Sequence, residues 1–224
     1  MGYSNYKKIK SVTKKFGLDA RFTNIFPEIE SQPISAWLAE SLVKAKMMPM
    51  TNEKSKSERL VSPILLDIVS HFATEITLFS GEELVVNPSE DLSGECDFFF
   101  SLHPPKPYID FPVISLVEAK NEDMELGLGQ CAAQVYGTYL YNKAEGKEVP
   151  ILYGCTMTGS DWLFFKLENG IFYVHNDEMT DLPQVIGTWH WILNYYVTNL
   201  VISNLIFRKP RIVRITLKIP LLNF

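Results

Sequence analysis

The chain is poor in cysteine, has no excess of positive charge, and holds no unbroken apolar run long enough to cross a membrane. Cys96, Cys131 and Cys155 are its three cysteines, far apart and without a C-x-x-C pair. An odd count without ligand spacing argues against a disulfide framework and a zinc site. It reads as three small buried hydrophobes in a reducing cytoplasm. The longest apolar stretch, residues 189–207, is interrupted by Asn194, Asn199 and Asn204, so it reads as a core-covering helix and not a span. The formal net charge is −5. A nucleic-acid partner must then be drawn by local patches or by a metal, not by overall charge. No signal-type apolar core opens the chain. No phosphate-cradling glycine loop occurs, which argues against ATP-driven action by this chain alone. There is no internal repeat or low-complexity segment. His71, His103, His175 and His190 are scattered and read as packing or surface residues.

What is present is ordinary globular composition: 224 residues, 46% hydrophobic and 21% charged, enough for one sizeable domain with extensions. The organising stretch is Ile114-Ser115-Leu116-Val117-Glu118-Ala119-Lys120. It reads as a buried strand ending in two charges. Residues i and i+2 of a strand share a face, so Glu118 and Lys120 project side by side. Charges at the end of a core strand cost desolvation energy unless compensated. Upstream lies Gly94-Glu95-Cys96-Asp97-Phe98-Phe99-Phe100. If the two strands pair, Asp97 can sit beside Glu118. Two carboxylates and a lysine at one point suit a divalent metal and an activated water. The bland reading of the same residues is a structural ion pair at the rim of the sheet.

Around these strands the pattern predicts the following order. Residues 1–15 are polar and basic, with Lys7, Lys8, Lys10, Lys14 and Lys15, and form a short surface helix; they read as a solvated charged face, or as an arm toward nucleic acid. Residues 33–46 form a helix with Ile34, Trp37, Leu38, Leu42 and Val43 on its apolar side and Pro33 in its first turn. Residues 47–57 are a break. A second helix spans 57–72, kinked or restarted at Pro63, with Glu58 placed either for the helix dipole or for a site. Strands at 75–79 and 83–86 form a hairpin around Ser80-Gly81. Residues 103–112, with four prolines, are a loop. A helix over 122–142 carries Leu128, Cys131, Ala132, Val135, Tyr136 and Tyr139 on one face and Gln130 and Gln134 on the next. A strand at 151–156 lies inside the sheet. A hairpin around Asn169-Gly170 follows, its first strand reading as a sheet edge. The basic end, 208–218, alternates as a strand or extended tail. The fold class is α/β, a mixed central sheet flanked by helices. Residues 1–50 read as an N-terminal helical extension, 51–207 as the core and 208–224 as a basic tail.

Gly94-x-x-Asp97, then Glu118-Ala119-Lys120, then the Gln-bearing helix Gly127-Leu128-Gly129-Gln130-Cys131-Ala132-Ala133-Gln134, resemble the PD-(D/E)XK nuclease superfamily. This is the restriction-endonuclease-like fold, found in type I restriction subunit nuclease domains and in small microbial proteins. Thr156-Met157-Thr158-Gly159-Ser160-Asp161-Trp162 is also similar. The likeness covers residues 55–175. It departs at Cys96, which stands where a proline usually precedes the aspartate, and in lacking a strict Q-x-x-x-Y.

The resemblance implies Asp97 and Glu118 as ligands of Mg2+ or Mn2+, helped by the Ala119 carbonyl. It implies Lys120 as the group that orients or activates water. It implies Glu58 as the acid on the first core helix, and Gln134 or Gln130 as the helix glutamine. The implied activity is metal-dependent phosphodiester hydrolysis, in DNA, of restriction or repair type. The expected setting is cytoplasmic, away from membrane, with a homodimer or a partner supplying recognition. The alternatives are a catalytically inactive domain of this fold that binds nucleic acid or protein, and an unrelated α/β protein with a rim ion pair.

Overall fold

The computed structural model describes residues 2–110, 112–120, 123–158 and 160–201. The basic stretch 208–224, expected as a strand or tail, lies outside the described residues. In chain order the elements are α1 (Ile9–Phe16), β1 (Asp19–Phe22), α2 (Ala36–Lys46), α3 (Glu53–Lys56), a π-helical turn (Ser57–Val61) and α4 (Ser62–Ser70). Then come β2 (Thr77–Asn87), β3 (Leu92–Ser101), β4 (Val113–Lys120), α5 (Met124–Ala144), β5 (Ile151–Thr158), β6 (Asp161–Glu168), β7 (Ile171–Val174) and α6 (Leu182–Tyr196).

The seven strands form one mixed sheet in the order β1-β7-β6-β5-β4-β3-β2. β4 and β5 are parallel neighbours. Such neighbours need a long crossover, and α5 is that crossover. All eight residues of β4 are buried, as a central strand covered on both faces requires. Phe100 lies opposite Ser115, so it points away from the face carrying Leu116 and Glu118. Trp189 of α6 packs on Phe100 and Phe164 at centroid distances of 5.2 and 5.4 Å. α6 therefore covers one face and α5 the other. Val185, Ile186, Trp189, Ile192, Leu193 and Tyr196 of α6 are buried, as a core-covering helix requires. Among the described residues no helix is long and apolar enough to cross a membrane. All three cysteines are free and buried.

Several expectations need correction. Ser80-Gly81 does not turn a hairpin. β2 runs straight through it, pairing with β3 from Thr77↔Ser101 to Asn87↔Leu92. Gly81 takes a φ of 68°, so it answers the left-handed signal with a local irregularity inside a strand and not with a turn. β6 is not an edge, because β7 pairs with it on the far side and β1 closes that side of the sheet. The Asn169-Gly170 hairpin forms as expected, both residues having positive φ. The first fifty residues are not helical throughout: β1 pairs in parallel with β7, and Tyr3, Tyr6, Val12 and Leu38 are buried in the common core. α2 starts at Ala36, capped by Ser35, so Pro33 precedes it. Of its expected apolar side Leu38 is buried, while Trp37 and Val43 are exposed.

The break expected over 47–57 ends early. Asn52 and Ser55 form a reciprocal capping box, which starts a helix at Glu53. Helical structure then continues to Ser70. Pro63 stands in the first turn of α4, which starts afresh at Ser62 after the π-helical turn, as expected of a proline that restarts the helix. Just before it the Ser62 N–H reaches back five residues to the Ser57 carbonyl, the π-helical bond that closes the preceding turn.

Candidate active site at the end of β4

The site forms where the β3–β4 ladder ends. The last paired residues are Phe98 and Val117. One position further, Asp97 falls opposite Glu118 by register, on the same face. The ladder stops because the Asp97 carboxylate takes over: its Oδ2 accepts the Ala119 N–H at 2.8 Å. The side chain thus satisfies a backbone donor that the departing strand leaves unpaired. The carbonyl of Ala119 leaves β4 on that same edge, because both main-chain groups of a paired strand residue point to one neighbour.

Glu118 is 1% exposed. Its Oε1 lies 2.7 Å from Lys120 Nζ, and its Oε2 accepts from Gln134 Nε2 at 2.8 Å. Burial, and next the Asp97 charge, push its pKa up to about 7 against the pull of Lys120 and Gln134. Asp97 is raised too, by burial first, with Glu53 and Glu95 adding repulsion, while the Ala119 N–H and Lys120 oppose. Burial pulls Lys120 down, but Glu118, Glu53 and Asp97 together hold its ammonium above the ordinary value. The lysine is therefore a firm cation beside carboxylates that ionise reluctantly.

Of the two glutamines, Gln134 is the one that reaches the glutamate. It is fully buried on α5. Its Oε1 and the nearby Thr156 Oγ1 have no hydrogen-bond partner among the described residues. Gly127, in the second turn of α5, explains how Lys120 fits. A Cβ there would collide with Thr156 Oγ1 and stand 3.0 Å from Lys120 Cγ. Gly127→Ala is expected to cost about 1–3 kcal/mol by overpacking and to displace the Lys120 stem. Thermal melts and a crystal structure of the variant would check both, and a wild-type melting temperature would refute the close approach.

In front of this ion pair lies a cleft of about 420 Å³, lined by Glu53, Lys54, Ser57, Glu58, Ser80, Gly81, Glu95, Asp97 and Ala119. Glu58 is present in the cleft wall, but it sits in the π-helical turn and not at a helix start, so the dipole role falls away. It pairs loosely with Lys54 at 3.9 Å. The carboxylate that reaches the lysine is Glu53, 3.7 Å from Lys120 Nζ. Sequence reading passed over it because 47–57 looked like a break. The Asn52-x-x-Ser55 box was the signal that a helix begins there, carrying Glu53 at its first position.

Among the described residues no group of three or more His, Cys, Asp or Glu side chains is gathered to hold a metal ion. Glu118 engages both oxygens within the protein, and Asp97 engages one. The cleft is nonetheless bordered by four carboxylates, Asp97, Glu53, Glu58 and Glu95, with Ser57, Ser80, the Ala119 main chain and one cation, Lys54, and no histidine or cysteine. That chemistry fits a hard cation such as Mg2+, which takes one or two carboxylates and keeps its waters, and does not fit zinc. His103 is engaged with Thr77, Pro104 and Asp110, and His175 accepts from the Ile25 N–H, so neither is directed at the cleft. Comparison with protein-family models and with curated proteins gives no match for this chain.

Proposed function

We propose that the protein is a metal-dependent nuclease that hydrolyses phosphodiester bonds in DNA. The observation that carries this reading is the convergence of Asp97, Glu118 and Lys120 at the end of one strand, beside a cleft rich in carboxylates. Asp97, Glu118 and the Ala119 carbonyl would hold Mg2+ or Mn2+. The bound cation would supply Lewis acidity and lower the pKa of a coordinated water. The chain's own residues do the rest. The Asp97–Ala119 bond holds the end of β4 in place. Gln134 fixes the Glu118 carboxylate from behind. Lys120, kept charged by Glu118 and Glu53, stabilises the negative charge that grows on the phosphate oxygens. In the overall reaction a water oxygen bonds to phosphorus and one P–O ester bond breaks. The water's proton passes to solvent, and the leaving alkoxide takes one up.

A second reading shares the fold: a non-catalytic domain that binds nucleic acid or protein. It is favoured by the closed pairing of Glu118 with Lys120 and Gln134, which leaves both glutamate oxygens satisfied. A plasmid-nicking assay with manganese separates the two. Wild type should convert supercoiled to open-circular DNA, while Asp97→Ala and Lys120→Ala lose on the order of 10²–10³-fold in rate or more. Equal rates for wild type and Asp97→Ala would discard the nuclease reading, and no nicking by wild type would favour the binding module.

A further inference from the structure

Lys7, Lys10 and Lys14 take no part in the site described. All three are exposed, and none has an acidic partner among the described residues. Their neighbours differ. Lys8 pairs with Glu125 at 3.1 Å, and Lys15 with Glu90 at 3.2 Å and Asp91 at 3.9 Å. The local acids are thus taken by the flanking lysines. Lys10 and Lys14 stand one turn apart on α1, opposite buried Val12, and Lys7 precedes the helix. Like charges at this spacing cost a helix a few tenths of a kcal/mol. The chain carries that cost while its overall charge is −5.

The position of this ridge gives it meaning. A Cβ on Gly129 would stand 2.7 Å from the Lys7 carbonyl carbon, so the N-terminal strand of chain lies directly on α5. Phe16 packs on Tyr136 at 4.5 Å, so α1 runs along the outside of the same helix. Gly127, two residues away and on the other side of α5, is where Lys120 makes its close approach. Lys120 lies against the other side of α5, and Lys10 and Lys14, opposite Val12, face outward from α1, so both helices, each about 10 Å thick, stand between those two lysines and the site.

We propose that Lys7, Lys10 and Lys14 form a docking ridge for the phosphate backbone of duplex DNA, a proposal that rests on the nuclease reading and names the surface that seats its substrate. A DNA strand carries one charge per ~3.4 Å of axis, so lysines spread over about two helical turns face several phosphates. The ridge offers no groups for reading base edges, and the docking it provides is independent of sequence.

The test is fluorescence anisotropy of a labelled 30-base-pair duplex in EDTA across a sodium chloride series. Wild type should bind, with log K falling as salt rises. The variant Lys7→Gln/Lys10→Gln/Lys14→Gln should lose about 2–3 from that slope and tenfold or more in low-salt affinity, at ~0.9 per phosphate contact. Its three positions are exposed, and its circular dichroism should match wild type. A control, Lys44→Gln/Lys46→Gln, removes exposed lysines on α2, away from α1 and α5, and should keep the steeper slope. The ridge is overturned if the triple variant binds as wild type does, if the control loses as much, or if wild type ignores the duplex or prefers phosphatidylserine vesicles. Nicking run in parallel keeps the two ideas apart. DNA bound through the ridge but never cut sinks the nuclease and spares the ridge. Cutting with unchanged binding by the triple variant does the reverse.

Discussion

Lys120→Met should cost the protein about 3–5 kcal/mol of stability at pH 8 and much less at pH 5. The lysine side chain is 11% exposed and its partner Glu118 only 1%. Removing one member of a buried pair leaves the other as an uncompensated charge, the costly case. Gln134 remains as a single neutral donor to Glu118. The glutamate can escape by taking a proton. Its pKa, already raised to about 7 by burial and by Asp97, rises further when the lysine is gone. At pH 5 the carboxyl is neutral in the folded variant, and most of the penalty disappears. Removing both partners in Glu118→Gln/Lys120→Met should recover most of the loss at pH 8, because no buried charge is then stranded. Urea unfolding of the four proteins at both pH values closes the double-mutant cycle. A cost independent of pH would mean that Lys120 acts through packing of its stem and not through its charge.

The second large effect concerns Glu118→Gln and the pH profile of the metal-free protein. The folded pKa of Glu118 lies near 7, above an ordinary value of 4.5. Folded chains therefore hold more protons than unfolded ones between these limits. The stability linked to this group is fully present below about pH 4.5 and is lost as pH rises through about 7. The shift corresponds to roughly 3 kcal/mol. Glutamine cannot ionise, so the variant should gain on wild type by about that amount between pH 5 and pH 8. The readout is the change in the difference between the two proteins, so any constant effect of depriving Lys120 of its partner cancels. Parallel stability profiles from pH 5 to 8 would show that Glu118 stays ionised throughout. Activity should be absent at every pH, since the same carboxylate is assigned to the cation.

Much of this site was legible in the chain. A run of apolar residues closing on Glu118 and Lys120 can only be a strand whose end carries charge, and alternation places both on one face. Asp97 opposite Glu118 followed from pairing two neighbouring strands. Gln134 and Gln130 were equivalent by periodicity, and only the rotation of α5 on the sheet brought Gln134 to the carboxylate. Glu58 and Glu53 were distinguished by where a helix begins and by the π-helical turn ahead of Pro63. Both depend on hydrogen bonds that composition alone does not rank. Ser80-Gly81 carried a hairpin signal that the β2–β3 ladder overrode, because continuous pairing satisfies more backbone groups than a turn would.

By itself the sequence determined the buried strand, the residues that carry charge at its end, the long helix that follows it, and the basic character of the first helix. Those are local properties of side-chain spacing. The tertiary structure alone decided that β1 joins the sheet, that Glu53 and not Glu58 reaches Lys120, and that Glu118 is sealed by Gln134. It also set α1 against α5, with Phe16 on Tyr136. Each of these rests on contacts between residues far apart in the chain, where packing and burial, not local preference, choose the partner.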